Sequence, residues 1–419
     1  MMNMSKDGLA ESYRKTRSVT VEICDPLEVE DFVVQPADFV SPPKWHMGHT
    51  TWFFEQFVLL PFRDSYQVYD PSFDKIFNSY YKSVGDHWRR DRRGHLSRPT
   101  QKAILSYRAA VDEAVLQLID LQHFPPEIYK RIELGLNHEQ QHQELLLMDI
   151  KYILSRSPIP IAYRPANDPG TMQSKRLQYV RFDPGLTEFG DNALDGFCFD
   201  NETPKHKAFL YPYHLANRPI TNGEYLDFIA DGGYRNPLLW RSDGWDFIQK
   251  SQDKSPLYWS NLDGQWQEFT LNGLVPLDLY SPVSHLTFYE ADAFAAWAGA
   301  RLPTEFELEF AYRNASVESS GFLEAGHLRP HVFSQGQEFY SLTGNLWEWT
   351  TSAYSQYPNY KRPGGALGEY NQKFMVNQIV LRGGSFATPK IHFRNSYRNF
   401  FYPIQGWAFT GLRLAKDVA

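Results

Sequence analysis

The chain has 419 residues, enough for two ordinary domains with cores of their own. A net charge of −7 argues against wholesale nucleic-acid binding, and only two cysteines, Cys24 and Cys198, give no basis for a disulfide framework. No apolar run reaches the length of a membrane span, and Met1 to Arg17 lacks the apolar core of a secretory signal, so the expectation is a cytoplasmic protein without membrane partners.

Residues up to about Leu154 read as helices. Ser41-Pro42-Pro43 has the form of a helix start, a serine cap with proline in the first turn, and the helix it opens carries His46, His49, Trp52, Phe53 and Gln56 on nearby faces. A second helix runs roughly from Gln101 to Leu121, with Ile104, Tyr107, Val111, Ala114 and Leu118 at helical spacing. Pro125-Pro126 opens the last, which contains His138-Glu139-Gln140-Gln141-His142. Residues four apart share a helix face, so His138 and His142 can grip one cation without distorting the backbone. A third imidazole from another helix, within Trp45-His46-Met47-Gly48-His49, would complete a facial set, and four such helices suggest a bundle with inward-facing ligands. The same five residues satisfy the zinc-protease pattern with Glu139 as base, and Glu144 could instead complete a two-histidine, one-carboxylate iron triad.

Prolines at 158, 160, 165 and 169 mark a linker, so the expected division is a helical domain at 1–160, a linker at 161–174 and a second domain at 175–419. Beyond the linker, glycines, aromatic residues and short strand-like runs predict an α+β domain, with helices around Thr221–Asp231 and Thr287–Ala298. Neither an internal repeat nor a low-complexity tract is present.

The second domain carries a dense motif set: Asn217-Arg218-Pro219-Ile220-Thr221-Asn222-Gly223-Glu224-Tyr225, Pro282-Val283-Ser284-His285-Leu286-Thr287, Arg301-Leu302-Pro303-Thr304-Glu305-Phe306-Glu307, Gly344-Asn345-Leu346-Trp347-Glu348-Trp349-Thr350 and Arg382-Gly383-Gly384-Ser385-Phe386. It closely resembles the formylglycine-generating-enzyme (sulfatase-modifying-factor) fold, a C-type-lectin-like scaffold. Those enzymes use a copper-binding cysteine pair, and only Cys198 lies in this domain, which removes that chemistry. The first domain resembles the DinB-like four-helix bundle, whose three histidines hold a metal. The fusion of the two is characteristic of EgtB, the sulfoxide synthases of ergothioneine biosynthesis.

The resemblance implies Fe(II) held by His49, His138 and His142, with His46 behind the ligands or merely packed. It implies a reaction in which O2 is used to join a thiol to C2 of the imidazole of hercynine, giving a sulfoxide. Gln141 and Asn399 match family positions that hold hercynine, and Phe400 and Phe401 offer aromatic faces to its trimethylammonium group. Asn78-Ser79-Tyr80-Tyr81 places the chain in the branch whose active tyrosine lies in the first domain, Tyr81 favoured slightly over Tyr80, with Tyr354 in reserve. Phe400-Phe401 stand where the branch using γ-glutamylcysteine has Trp-Asp, so L-cysteine is the expected thiol. Its carboxylate could pair with Arg90 or Arg93, Arg394 and Arg398 being further candidates.

The rival readings are a SenA-like selenoneine synthase joining hercynine to a selenosugar, and a non-catalytic DinB and lectin-like binding protein. The related OvoA enzymes usually carry a C-terminal methyltransferase, which this sequence lacks. Oligomeric state is not encoded in any of these features.

Overall fold

The computed structural model, which describes residues 5–121, 124–165, 175–194, 196–251, 254–315, 321–333 and 338–418, divides the chain into two units that do not follow a single cut. One gathers Met1–Tyr163 with two later segments, Leu194–Phe197 and Pro363–Tyr370; the other holds Arg164–Ala193, Cys198–Arg362 and Asn371–Ala419. Of the expected linker, 166–174 lies outside the described residues. No described helix is long and apolar enough to cross a membrane.

The first unit is helical: α1 Lys6–Cys24, α2 Pro43–Phe54, α3 Leu60–Phe62, α4 Ser72–Phe77, α5 Gln101–Ile119 and α6 Pro126–Ser155. A π-helical turn, Glu55–Leu59, joins α2 to α3. Four of these helices are long, and α1 and α2 each pack against both α5 and α6. Ser5 and Thr100 cap α1 and α5 by accepting from the backbone N–H three residues on. The start of α2 departs from the expectation. Its cap is Pro42, extended and without a side-chain bond, and Ser41 stands one residue outside. A residue before proline is pushed out of the helical region, and here Ser41 and Pro42 both precede one. Ser41 instead donates its backbone N–H to Asp149 Oδ2 (2.9 Å) and accepts from Arg93 Nη1 (2.8 Å).

The core of this unit holds an ionic knot. Glu139 accepts from Arg17 Nη1 (2.8 Å), Arg108 Nη2 (2.8 Å) and Thr20 Oγ1 (2.6 Å), and is fully buried. Burial alone would raise its pKa, but the two guanidiniums and the hydrogen bonds outweigh it and hold the carboxyl at about 2.

The second unit builds short sheets ordered β1-β4-β12, β10-β9-β8-β11, β2-β3 and β5-β6-β7. Their strands are β1 Tyr179–Phe182, β2 Gly185–Phe189, β3 His206–Leu210, β4 Tyr213–Ala216, β5 Trp259–Leu262, β6 Gln265–Thr270, β7 Gly273–Pro276, β8 Trp347–Ala353, β9 Ile379–Arg382, β10 Asn399–Phe401, β11 Thr410–Gly411 and β12 Ala415–Asp417. Helices α7 Asn222–Ala230 and α9 Phe288–Trp297 match the expected pair. Two more, α8 Ser242–Lys250 and α10 Glu305–Asn314, were not anticipated. Capping boxes Thr221/Glu224, Thr287/Glu290 and Thr304/Glu307 start α7, α9 and α10. Several motif residues quoted above serve as scaffold: buried pairs join Arg382 to Glu309 (2.7 Å), Arg398 to Glu305 (2.8 Å) and Arg413 to Glu348 (2.9 Å). Both cysteines are free thiols.

Candidate metal centre

On α2, Trp45, His49 and Trp52 fall on one face, and the His49 ring lies against both indoles, 4.6 Å from Trp45 and 5.7 Å from Trp52 with near-parallel planes. On α6, His138 packs 4.2 Å from Phe53 and 4.7 Å from His142. The two helices bring His49, His138 and His142 together so that one ring nitrogen from each lies within 4.8 Å of the others, the one such group among the described residues. His46 is not part of it, and Glu144, though buried, is not either.

The ring nitrogens are unevenly engaged. His49 Nδ1 lies 2.6 Å from the Phe77 carbonyl and so carries the proton, which leaves Nε2 as a bare lone pair. That Nε2 is buried without a hydrogen-bond partner, as are both nitrogens of His138. These three nitrogens hold two bare lone pairs and one N–H, and buried lone pairs are costly unless a metal ion or a donor takes them up. Burial pushes all three imidazoles down, His138 to about 3, and mutual proximity adds to the effect on His49 and His142. The set is neutral at ordinary pH, as ligation requires. Imidazole donors suit iron, copper, nickel or zinc, so the residues fit a transition-metal ion. The protease reading fails here: both oxygens of Glu139 are committed to Arg17, Arg108 and Thr20, and no general base remains.

Around the histidines stand three tyrosines. Tyr81 is fully buried, its ring 5.8 Å from Trp52 and 4.7 Å from that of Tyr80, which is half-buried. Burial first, then Tyr80 and Tyr370, raises the Tyr81 pKa well above that of a free phenol. Tyr370, on the returning segment Pro363–Tyr370, was not singled out from sequence. Its ring lies 5.7 Å from His138, and its hydroxyl donates to Gln141 Oε1. The neighbouring Glu369 carboxylate accepts from the backbone N–H groups of Lys82 (3.2 Å) and Ser83 (3.0 Å), stitching this segment to the turn after Tyr81. No local motif marks Tyr370, because its partners are distant in sequence.

Arg93 is buried with its guanidinium 3.2 Å above the Trp45 ring, donating to Ser41 and Ser79. Its Nε has no partner, and among the described residues no carboxylate pairs with it. Burial and the nearby Arg90 both disfavour its charge. Arg90 is exposed and donates to the Phe39 carbonyl.

Residues 12–146 match the DinB superfamily, and residues 166–339 and 326–418 match the sulfatase-modifying factor enzyme 1-like domain. A hercynine oxygenase of Mycolicibacterium smegmatis is 30% identical across 99% of this chain and 100% of its own. The chain belongs to the EgtB-type hercynine oxygenase family. A hercynine oxygenase of Mycobacterium tuberculosis is 28% identical over 99% of this chain and 100% of its own. Ergothioneine biosynthesis protein 1 of Schizosaccharomyces pombe is 32% identical over 53% of this chain and 28% of its own.

The remaining residues expected from this hercynine oxygenase family lie in the second unit. Asn399, Phe400 and Phe401 form β10, paired with β9, and all three are half-buried. Phe400 stacks on Tyr354 at 3.9 Å, and the Tyr354 hydroxyl accepts from Asn201 (2.9 Å). Arg394 and Arg398 bridge Glu202 and Glu305, so both cations already have carboxylates.

Proposed function

We propose that this chain is an iron(II)- and dioxygen-dependent sulfoxide synthase that joins C2 of the hercynine imidazole to the sulfur of L-cysteine. The observation that carries the reading is the set of three neutral imidazoles, two of them fully buried with unpartnered nitrogens, flanked by tyrosines and by an arginine that no carboxylate among the described residues pairs with. In the balanced reaction a C–H and an S–H bond break and C–S and S=O bonds form. Dioxygen takes up four electrons, and its second oxygen leaves as water.

When bound, iron(II) supplies the redox chemistry that dioxygen reduction needs, which zinc cannot. His49, His138 and His142 would hold it, and as neutral ligands they would leave its full charge to favour a thiolate. Gln141, its amide fixed by the Tyr370 hydroxyl, binds and orients hercynine beside His142. Asn399 anchors the same substrate, and Phe400 and Phe401 face its trimethylammonium group; this part rests on the family resemblance. Arg93, supported by Arg90, takes the cysteine carboxylate, which would relieve its unpaired burial. Tyr81 keeps its phenolic proton at Oη up to high pH and donates it as oxygen is reduced, with Tyr80 alongside. In this reading the four long helices form the metal-binding bundle of a domain at 1–160, joined by a linker at 161–174 to the domain at 175–419.

Anaerobic loading with Fe(II), followed by oxygen uptake and product mass with hercynine plus cysteine, tests this. Parallel reactions offer γ-glutamylcysteine and a selenosugar, and His138→Ala serves as the site control. A hercynyl-cysteine sulfoxide that requires iron and His138 is the expected result. Product from the selenosugar alone would move the chain to selenoneine synthesis. Metal-loaded protein without uptake on any donor would end the enzymatic reading.

A further inference from the structure

Asp149 lies on α6 and His46 on α2, and neither belongs to the three-histidine group. His46 is buried, with both ring nitrogens engaged: Nε2 is 2.9 Å from Asp149 Oδ2, and Nδ1 is 2.9 Å from His142 Nδ1. Asp149 is buried too, and the same Oδ2 accepts the Ser41 N–H. Because Oδ2 already accepts the Ser41 N–H, it is the acceptor towards His46 as well, so His46 carries its proton on Nε2 and presents a lone pair at Nδ1. Two facing nitrogens 2.9 Å apart need one proton between them, and it must come from His142 Nδ1. A neutral imidazole protonated at Nδ1 has its lone pair on Nε2.

We infer that Asp149 and His46 are positioning residues that fix His142 as the Nδ1–H tautomer and so present its Nε2 to a metal. The inference rests on the three-histidine reading for its consequence, but the tautomer itself is a property of the metal-free protein. His49 is fixed in the same sense by the Phe77 carbonyl. His138 has no such partner, so the two engaged rings hold the site's orientation. Partners of this kind, standing behind a metal-bound imidazole, are worth roughly 10- to 100-fold in metal affinity.

The test uses full-length, metal-free protein labelled with nitrogen-15 in histidine, with the ring tautomers read from long-range proton–nitrogen spectra. His142 should be protonated at Nδ1, against the usual Nε2–H preference of a free histidine side chain, and His46→Phe should abolish that state. Co(II) affinity by chelator competition should fall 10- to 100-fold in His46→Phe. It should stay within a few-fold of wild type in His46→Gln, whose amide can accept from His142 and donate to Asp149. If His46→Phe does not fold, Asp149→Leu reads the same loss of a fixed tautomer. An Nε2–H His142 in the unaltered protein overturns the inference, as does equal affinity in the Phe and Gln variants. A His49→Ala protein that still binds Co(II) while His46→Phe does not would make His46 the ligand and overturn it as well. If the unaltered protein binds no divalent metal, the three-histidine reading fails, and the tautomer spectrum still decides the arrangement itself.

Discussion

Glu139 sits between two readings of one helix, and its replacement separates them. In Glu139→Gln the amide can accept from one arginine, but its NH2 must face another donor among Arg17, Arg108 and Thr20. The carboxyl is displaced from 4.5 to about 2 on folding. At about 1.4 kcal/mol per pKa unit this is a contribution of about 3 kcal/mol. Breaking a buried pair by removing one charge gives a similar range, about 3–5 kcal/mol. Because the folded pKa is the depressed one, this stability is fully present above pH 4.5 and is lost as pH falls from 4.5 towards 2. Urea unfolding followed by far-UV circular dichroism, in which the helical unit dominates, should therefore show a loss of about 3–5 kcal/mol that is constant from pH 6 to 8. The difference from wild type should shrink below pH 4.5, where the Glu139 carboxyl of the unfolded chain takes up a proton that the folded protein still excludes. Metal affinity in the folded variant should remain near wild type, since Glu139 does not face the histidines. A stability change under about 1 kcal/mol together with lost metal binding or activity would refute the structural assignment.

Tyr81→Phe should lower the ratio of sulfoxide to oxidised thiol while leaving metal affinity unchanged; an unaltered product ratio by mass spectrometry moves the role to Tyr80 or Tyr370. Arg93→Met should raise the KM for cysteine by at least 10-fold and leave that for hercynine within a few-fold, and equal effects on both would remove its assigned role. Gly48→Ala would place a methyl 2.3 Å from the Phe77 ring. Forced shifts of that kind cost about 1–3 kcal/mol, and since the Phe77 carbonyl holds His49, chelator competition should also show weakened metal binding.

Legibility in the sequence followed the distance between partners. His138 and His142 are one helical turn apart and could be read from spacing, whereas choosing His49 over His46 required the family resemblance. Spacing could not reveal that His46 faces Asp149, because the two lie on different helices. Tyr370 was invisible for the same reason, being returned to the helical unit by a segment of the C-terminal half. Ser41 misled because a serine ahead of two prolines looks like a cap, while the prolines themselves keep it out of the cap position. The start of α10 was legible after all: Thr304 followed by Glu307 is a capping box, hidden inside a motif that drew attention for its resemblance. Helix α8 had weaker signals, with Gly244 in its first turn and no capping side chain.

The direction of each side chain on α6 explains how histidines and acids coexist within a few residues. Successive positions turn by about 100°, so His138 and His142 face α2 while Glu139 and Gln143 face α1. Gln143 donates to the Thr16 carbonyl (2.8 Å) and to Thr20 (3.1 Å), and Glu139 takes the arginines. Asp149, two turns on, is held by Ser41 and His46. Neither acid can therefore swing into the histidine set and convert it to a two-histidine, one-carboxylate site. The distinction matters for the proposed reaction. A carboxylate ligand would cancel part of the metal's charge, whereas three imidazoles leave all of it to stabilise a thiolate at neutral pH. In the proposed reading the arginine pair at Glu139 serves the chemistry indirectly: it allows an acid next to His138 without letting that acid reach a metal held by the three histidines.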